Sequence, residues 1–261
     1  MTSLTKTISI PTSNQPNAGT GWNRFHRISG GAALLAVLVA LTDITLTFLP
    51  AGAEQPGTMT AVDWFHLFQD KWFFGLRNLG LFPNILTLLL LVPVFLSLYR
   101  IHHRTQQPLA VAAVIFSMLG AAVYLANNAA FPMLALSMKY TAALTESQRT
   151  ILIAAGEAVL ARGEDFTPGT FPGFFLNEMA TIIMAWVMLQ GKIFSRATGY
   201  AGLLGGVSLL VFTIWATYIP AGFGLSMLLA MVGGISSIVW YVLTSRKLFQ
   251  MSRQAHGELE W

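Results

Sequence analysis

Residues 81–99 read LFPNILTLLLLVPVFLSLY, nineteen positions without a charged side chain. A helix of about 20 such residues crosses the roughly 30 Å hydrocarbon core of a bilayer. Backbone groups in lipid must be paired within the chain, and the stretch lacks the alternation of a membrane strand. Five further stretches of this kind lie at about 29–49, 108–130, 173–189, 199–219 and 224–245. The sequence therefore predicts an all-α fold, a polytopic bundle of six transmembrane helices.

Composition supports this class. Hydrophobic residues make up 54% of the 261-residue chain, charged residues 10%, and the mean hydropathy is +0.61. A soluble domain carries about 25% charged residues, so the expected partner is the lipid bilayer. The chain has no cysteine, which excludes disulfides, thiol catalysis and thiolate metal sites. The net charge is +4, and the Lys and Arg residues are distributed as in the topology signal of a membrane protein. No nucleic-acid partner is therefore expected.

The Lys and Arg residues predict the orientation. The side that holds both termini carries ten of them, and the other side carries five. The positive-inside rule then places both termini in the cytoplasm of a multi-pass plasma-membrane protein. The ten are Lys6, Arg24, Arg27, Arg100, Arg104, Lys192, Arg196, Arg246, Lys247 and Arg253, against Lys71, Arg77, Lys139, Arg149 and Arg162.

The chain outside the membrane domain (29–246) consists of two tails. Residues 1–28 are polar and rich in Ser, Thr, Asn, Pro and Gly, which predicts a disordered cytoplasmic tail. Residues 247–261 form the second cytoplasmic tail. Ala51-Gly52-Ala53 resembles a signal-peptide cleavage site, but the apolar run before it exceeds the usual length of about 7–15 residues. We expect a retained span.

Two loops on the outer side are predicted to hold short extracytoplasmic or interfacial helices. Thr60 and Asp63 are spaced as a helix cap before an aromatic-rich segment, and Thr145 and Gln148 as a capping box, with Gly163 placed to end the second helix. For the first helix two interpretations stay open: a helix at the membrane interface, or a cap on the bundle.

Two acids fall inside the predicted spans, Asp43 and Glu178. At 1.5 Å per residue, Asp43 lies roughly 21 Å from the inner edge and Glu178 roughly 8 Å below the outer edge. Intramembrane acids are rare and often functional, which favours a polar pocket open to the outer face. The alternative is structural, since a helix N-terminus stabilises an acid such as Glu178. The candidate pocket residues are Asp43, Asn127, Asn128, Asn177, Glu178, Arg77 and Lys139.

No metal or cofactor site is predicted. His26, His102 and His103 flank span ends, His66 lies in a loop and His256 in a tail, so no pair is spaced i, i+4 in a span. The chain also lacks a lysine within a span and the common hydrolase, metalloprotease and phosphate-loop motifs.

Small residues recur in spans five and six. Gly202 and Gly206, Ala230 and Gly234, and Gly233 and Ser237 each have small-xxx-small spacing, which permits close helix packing. Packing within one chain is favoured, and an oligomer through these spans is the alternative.

Several short stretches occur together: NNAAF at 127–131, IAAGEA at 153–158, FSRATGY at 194–200, WY at 240–241 and RKLF at 246–249. With them the chain resembles, over about residues 25 to 250, a bacterial family of multi-spanning membrane proteins known as a domain of unknown function. The resemblance implies a six-span protein of a bacterial membrane and supplies no catalytic residues.

Function is predicted only broadly. The leading hypothesis is a protein that binds or moves a small or lipophilic molecule, or that serves as a subunit of a membrane assembly. The alternative is an intramembrane enzyme acting on a lipid through Asp43 and Glu178.

Overall fold

The computed structural model of the chain describes residues 18–47, 59–219 and 223–257, and these ranges contain helices and no β-strand. The all-α prediction is therefore confirmed. The helices are α1 (Ala18–Thr47), α2 (Ala61–Asn78), α3 (Thr87–His102), α4 (Gln107–Asn127), α5 (Ala130–Ala142), α6 (Glu146–Gly163), α7 (Phe171–Gly191), α8 (Arg196–Tyr218) and α9 (Phe223–Gly257), with a π-helical segment at Leu81–Leu86.

Six segments are long and apolar enough to cross a membrane, as predicted. They are Gly21–Thr47, Ala61–His102, Gln107–Ala142, Phe171–Gly191, Arg196–Tyr218 and Ser226–Arg253. The second and third contain 42 and 36 residues, more than the roughly 20 that a bilayer requires. Each is interrupted, at the π-helical segment and at Asn128–Ala129 respectively. The helices beyond these breaks, α2 and α5, therefore project past the bundle.

The bundle is built from neighbouring helix pairs. α1 packs on α3 and α9, α4 on α3 and α7, and α8 on α7 and α9. Its core includes Leu91, Phe95, Met184 and Trp240, all with no exposed surface. This burial fixes which helix faces point inward, while large exposed apolar side chains cover α1 and α9 on the opposite side.

Several small residues of spans five and six are used for packing within the chain, among them Gly206, whose Cβ would lie 2.8 Å from Ile182 of α7. A Cβ at Gly202 would lie 2.8 Å from Trp240, one at Gly205 2.8 Å from Ser237, and one at Gly233 2.7 Å from Leu209. Larger residues at these positions would push α8 away from α9. Gly234 differs, since nothing lies within 4 Å of its Cβ position.

The two ends of the bundle differ in charge. At one end the Arg100 guanidinium lies 5.3 Å from the Trp22 ring, and His102 stacks on Phe194 at 5.6 Å. Most Lys and Arg side chains of α1, α3, α8 and α9 belong to this end, which we call the basic end. The other end carries α2, α5 and α6, and we call these three helices the cap.

The cap has its own apolar core. Trp64, Phe65, Met133 and Leu160 are almost completely buried between α2, α5 and α6. Both capping boxes form: Thr60 with Asp63 begins α2, and Thr145 with Gln148 begins α6. α2 has features of both interpretations left open, because Trp64 and Phe65 are buried while Trp72 remains 57% exposed.

The two ends of the membrane domain differ from the sequence-based expectations. α1 begins at Ala18, inside the predicted disordered tail, and α9 continues to Gly257, inside the second tail. The first extension contacts α3 through the Trp22 ring, which lies 5.3 Å from the Arg100 guanidinium, and through His26, whose Nδ1 lies 2.5 Å from Ser97 Oγ. Residues 1–17 and 258–261 and the possible cleavage site at 51–53 lie outside the described ranges.

α6 ends at Gly163, as predicted. The backbone of Gly163 is not left-handed, because among the described glycines only Gly80 has a positive φ. Position 163 requires a small residue because the backbone between α4 and α5 passes close to it. A Cβ there would lie 2.2 Å from Asn127 O, and Gly163 O accepts a hydrogen bond from Ala129 N at 2.9 Å. The contact fixes α6 to the break between α4 and α5.

Candidate functional site at the junction of cap and bundle

The candidate pocket residues lie in different surroundings. Asp43 and Arg77 form an ion pair at the end of α1, while Glu178 and Asn177 are buried in α7. Asn127 and Asn128 lie at the end of α4, and Lys139 is exposed on α5. The hydrogen bonds of the described residues do not join Asp43 to Glu178.

The ion pair holds the start of the second span against α1. Arg77 Nη2 lies 2.7 Å from Asp43 Oδ1, and Arg77 Nε donates to the same oxygen at 2.8 Å. The guanidinium also donates to Asp43 O at 2.8 Å, to Thr47 Oγ1 and to Asn78 Oδ1 at 2.9 Å. The side chain of Arg77 is 7% exposed and that of Asp43 28% exposed. The positive charge of Arg77 is therefore balanced at this position.

Glu178 and Asn177 belong to the packing of α7 against its neighbours. A Cβ at Gly206 of α8 would lie 3.4 Å from Glu178 O. Asn177 Oδ1 is buried without a hydrogen-bond partner among the described residues. A Cβ at Gly120 of α4 would lie 3.0 Å from Asn177 N. These two residues thus lie where α7 packs on α4 and α8, whereas Asp43 pairs with Arg77.

The two asparagines fasten the cap to the bundle. Asn128 Nδ2 donates to Leu79 O at 2.6 Å, and its Oδ1 accepts from Ala130 N at 2.9 Å. Asn127 Oδ1 accepts from Arg162 Nε at 2.9 Å. The side-chain amides of Asn127 and Asn128 therefore fix the break between α4 and α5, the first to α6 and the second to the end of α2.

A third group of polar residues was not predicted: Asn84, Tyr124 and Asp165. Tyr124 donates its hydroxyl hydrogen to Asp165 Oδ1, and Asn84 Nδ2 donates to Asp165 Oδ2 at 2.7 Å. The same hydroxyl accepts from Asn84 at 3.2 Å and from Asn128 at 3.3 Å. We call these four residues, Asn84, Tyr124, Asn128 and Asp165, the junction network.

Gly80 leaves space for this network. A Cβ there would lie 2.3 Å from Tyr124 Oη and 2.9 Å from Asp165 Oδ2, and the backbone φ is +80°. Glycine satisfies both conditions at low cost, because it has no Cβ and tolerates positive φ. The backbone before the π-helical segment can therefore lie directly on the carboxylate.

The carboxylate of Asp165 is held by neutral donors. The ion pair of Arg77 with Asp43 does not include Asp165. Desolvation is the largest effect on Asp165 and, together with the nearby acids Glu164 and Asp43, raises its pKa from 3.8 to about 7, against the opposing hydrogen bonds from Tyr124 and Asn84. The site can therefore take up or release a proton near neutral pH.

Aromatic rings lie beside the acid. Phe166, the next residue, stacks on Phe174 at 5.4 Å and meets Phe212 edge-on at 5.0 Å, and Phe174 lies 4.8 Å from Tyr124. Phe166 has φ of +61°, a conformation that is costly for a bulky residue and typical of functional sites. Asp165, Phe166 and Phe174 are each partly exposed, so the acid and the rings adjoin the surface.

Residues able to hold a metal do not gather here: the described chain contains no cluster of three or more His, Cys, Asp or Glu side chains suited to a metal ion. The chemistry that the junction offers is a carboxyl group that titrates near neutral pH, hydrogen-bonding phenol and amide groups, and an aromatic surface.

Comparison with known proteins gives a family and no activity. No curated protein and no solved structure matches the chain. Residues 73–243 match the family described as Domain of unknown function (DUF4386), and this range includes Asn84, Tyr124, Asn128 and Asp165. Since the match covers more than half of the chain, this multi-span helical protein belongs to the DUF4386 family.

Proposed function

We propose that the protein binds a small lipophilic molecule that carries a cationic group, and that it does so at the junction network. The single observation that carries the proposal is the carboxylate of Asp165, which lies among neutral donors while the guanidinium of Arg77 is engaged by Asp43. Such a carboxylate is stabilised either by a proton or by a cation from outside the chain.

The surroundings of Asp165 support a ligand with an apolar part. Phe166 and Phe174 lie beside the carboxylate, and aromatic faces attract organic cations as well as apolar groups. The Asp165 carboxylate and the side-chain amide oxygen of Asn84 are acceptors that can orient an ammonium or a similar head group. An amine bearing a short aromatic or aliphatic chain combines these properties.

The proposed setting is a bacterial plasma membrane with both termini in the cytoplasm. The excess of Lys and Arg at the basic end supports this orientation. The junction network then opens to the outer face, where a ligand would arrive from outside the cell or from the outer leaflet.

Three probes of similar size test the proposal: phenylethylamine, phenylethanol and phenylpropionate. The wild-type protein in phosphatidylcholine nanodiscs is titrated with each at about pH 8, where Asp165 with its pKa near 7 is mostly ionised. We expect the amine to bind more tightly than the alcohol by at least about tenfold, and the carboxylate to bind most weakly. The measurement is isothermal titration calorimetry.

Two variants complete the test. Asp165→Asn keeps the size of the side chain and removes its charge, and we expect it to lose the preference for the amine. Asp70→Asn makes the same change at an exposed acid of the cap and is expected to leave binding unchanged. An equal affinity of the wild type for all three probes, or an unchanged preference in Asp165→Asn, would contradict the proposal.

A role as a subunit of a membrane assembly is a second candidate, and one observation favours it. The cap exposes large apolar side chains, with Leu144 94%, Met138 68% and Ile151 67% exposed. These residues lie on α5, on α6 and between them, beyond the break that ends the third span. Site-specific photo-cross-linking from position 144 in intact membranes tests it: a defined adduct supports an assembly, and lipid adducts alone oppose it.

The alternative of a lipid-acting enzyme has less support from the geometry. It requires Asp43 and Glu178 to act on one substrate, whereas Asp43 is paired with Arg77 and Glu178 is buried where α7 packs on Gly206 of α8. We therefore do not propose catalysis by this pair of acids.

A further inference from the structure

A cavity of ≈ 420 Å³ opens between α1 and α9 at the basic end, lined by Arg27, Phe249, Ser252 and Arg253. Residues 249, 252 and 253 are spaced i, i+3 and i+4, so they share one face of α9. Arg27 approaches from α1. The cavity therefore has a positively charged side chain on each of its two helices.

The two helices are fixed close together next to the cavity. Ser245 Oγ donates to Gly30 O at 2.7 Å, and a Cβ at Gly30 would lie 3.4 Å from the Phe249 ring. Arg27 lies about one turn before Gly30, and Arg253 about one turn after Phe249. The cavity thus begins where the close contact ends, with the Phe249 ring between the arginines and the packed part of the bundle.

Acidic residues are scarce around this cavity. α1 contains no Asp or Glu before Asp43, and Phe223–Gly257 contains none at all. Residues 101–107 and 192–195, which connect spans at the same end, contain none either. The ion pair between Arg77 and Asp43 lies elsewhere, at the other end of α1. In the described chain, Arg27 and Arg253 therefore have no acidic side chain on α1 before Asp43, on α9 or in these two connections to neutralise them.

The lining residues fit a phosphate group. A guanidinium donates two parallel hydrogen bonds to phosphate oxygens, and the cavity has one guanidinium on each of its two helices. One water takes about 30 Å³ of liquid volume, so the cavity has room for a phosphate together with its ester substituent. Basic pockets between transmembrane helices are a common setting for anionic head groups.

We propose that this cavity, the α1–α9 cavity, binds a phosphate group, either in the head group of an anionic phospholipid or as soluble phosphate. Arg27 and Arg253 hold the phosphate from two sides, and Phe249 contacts the apolar part next to it. The site is separate from the junction network and does not depend on the function proposed there.

The experiment measures binding to the purified full chain in a neutral detergent by native mass spectrometry. The probes are short-chain phosphatidylglycerol, short-chain phosphatidylcholine and inorganic phosphate. We expect phosphatidylglycerol to be retained, and the double variant R27Q/R253Q to bind it about 25-fold more weakly, about fivefold for each arginine. The matched control R246Q/K247Q removes two positive charges from α9 outside the set of lining residues.

Each outcome bears on the proposal. Equal losses in the two double variants would show a diffuse basic surface and overturn the site, as would equal retention of phosphatidylcholine and phosphatidylglycerol. Binding of phosphatidylglycerol that inorganic phosphate does not displace identifies a lipid as the ligand. Displacement by inorganic phosphate identifies a soluble phosphate.

Folding of the variants is checked by size-exclusion chromatography and helix content. If R27Q/R253Q does not fold, R27K/R253K replaces it. This variant keeps the charge but loses the two-pronged hydrogen bonds, so a selective loss of phosphatidylglycerol is expected. Unchanged binding in the lysine variant would overturn the proposed geometry.

Discussion

Asp165→Asn should change how the stability of the protein depends on pH. In the folded protein the pKa of Asp165 is about 7, against 3.8 for an exposed aspartate. Because the folded pKa is raised, the folded state holds the proton more tightly than the unfolded state. The resulting stabilisation is fully present below about pH 4 and is lost as the pH rises through about 7.

The size of the effect follows from the two pKa values. A difference of about three pKa units, at about 1.4 kcal/mol each, is about 4 kcal/mol of unfolding free energy between acidic and alkaline pH. An asparagine cannot ionise, so this contribution should vanish in Asp165→Asn. Relative to the wild type, the variant should gain stability as the pH rises.

The assay is the free energy of unfolding from denaturant titration in mixed micelles, measured from about pH 4 to about pH 9. The informative quantity is the difference between wild type and variant at each pH, because the other titrating groups cancel in it. Asp70→Asn, at an exposed acid of the cap, serves as the control. A difference that stays constant across the pH range would refute the reasoning.

Two further predictions concern packing and charge, measured by unfolding in the same micelles. Arg77→Gln should destabilise the fold by about 3 kcal/mol, because it leaves the Asp43 carboxylate without its cation. Adding Asp43→Asn should recover part of this loss of stability. Additive losses from the two substitutions would contradict the pairing. Gly163→Ala should cost about 1–3 kcal/mol, since its methyl group would meet Asn127 O. Gly234→Ala, with open space around its Cβ position, should cost nothing, and equal losses would contradict the close approach.

The sequence predicts those parts of the fold that depend on nearby residues. A span needs only a long apolar run, and a capping box needs only Thr60 with Asp63 or Thr145 with Gln148. The breaks inside the second and third spans were harder to place. The break after α4 depends on Asn128 bonding to Leu79 O, a contact between residues far apart in the chain.

The candidate site was predicted only in part, for geometric reasons. The helical rise gives the depth of Asp43 and Glu178, but the direction in which each side chain points depends on neighbouring helices. The sequence does not predict a role for Asp165, because this residue lies in a loop, where acids are usually solvated. One signal was present: Tyr124, Asn127 and Asn128 are spaced i, i+3 and i+4, so they form a polar patch on an otherwise apolar helix.

Proton release on ligand binding tests the proposed function most directly. With a pKa of about 7, Asp165 is about half protonated at pH 7, and a bound ammonium group would displace that proton. Calorimetry of phenylethylamine binding at pH 7, in buffers of different ionisation enthalpy, should therefore show about half a proton released per bound amine in the wild type and none in Asp165→Asn. Binding of the amine to the wild type without proton release would contradict the role assigned to Asp165.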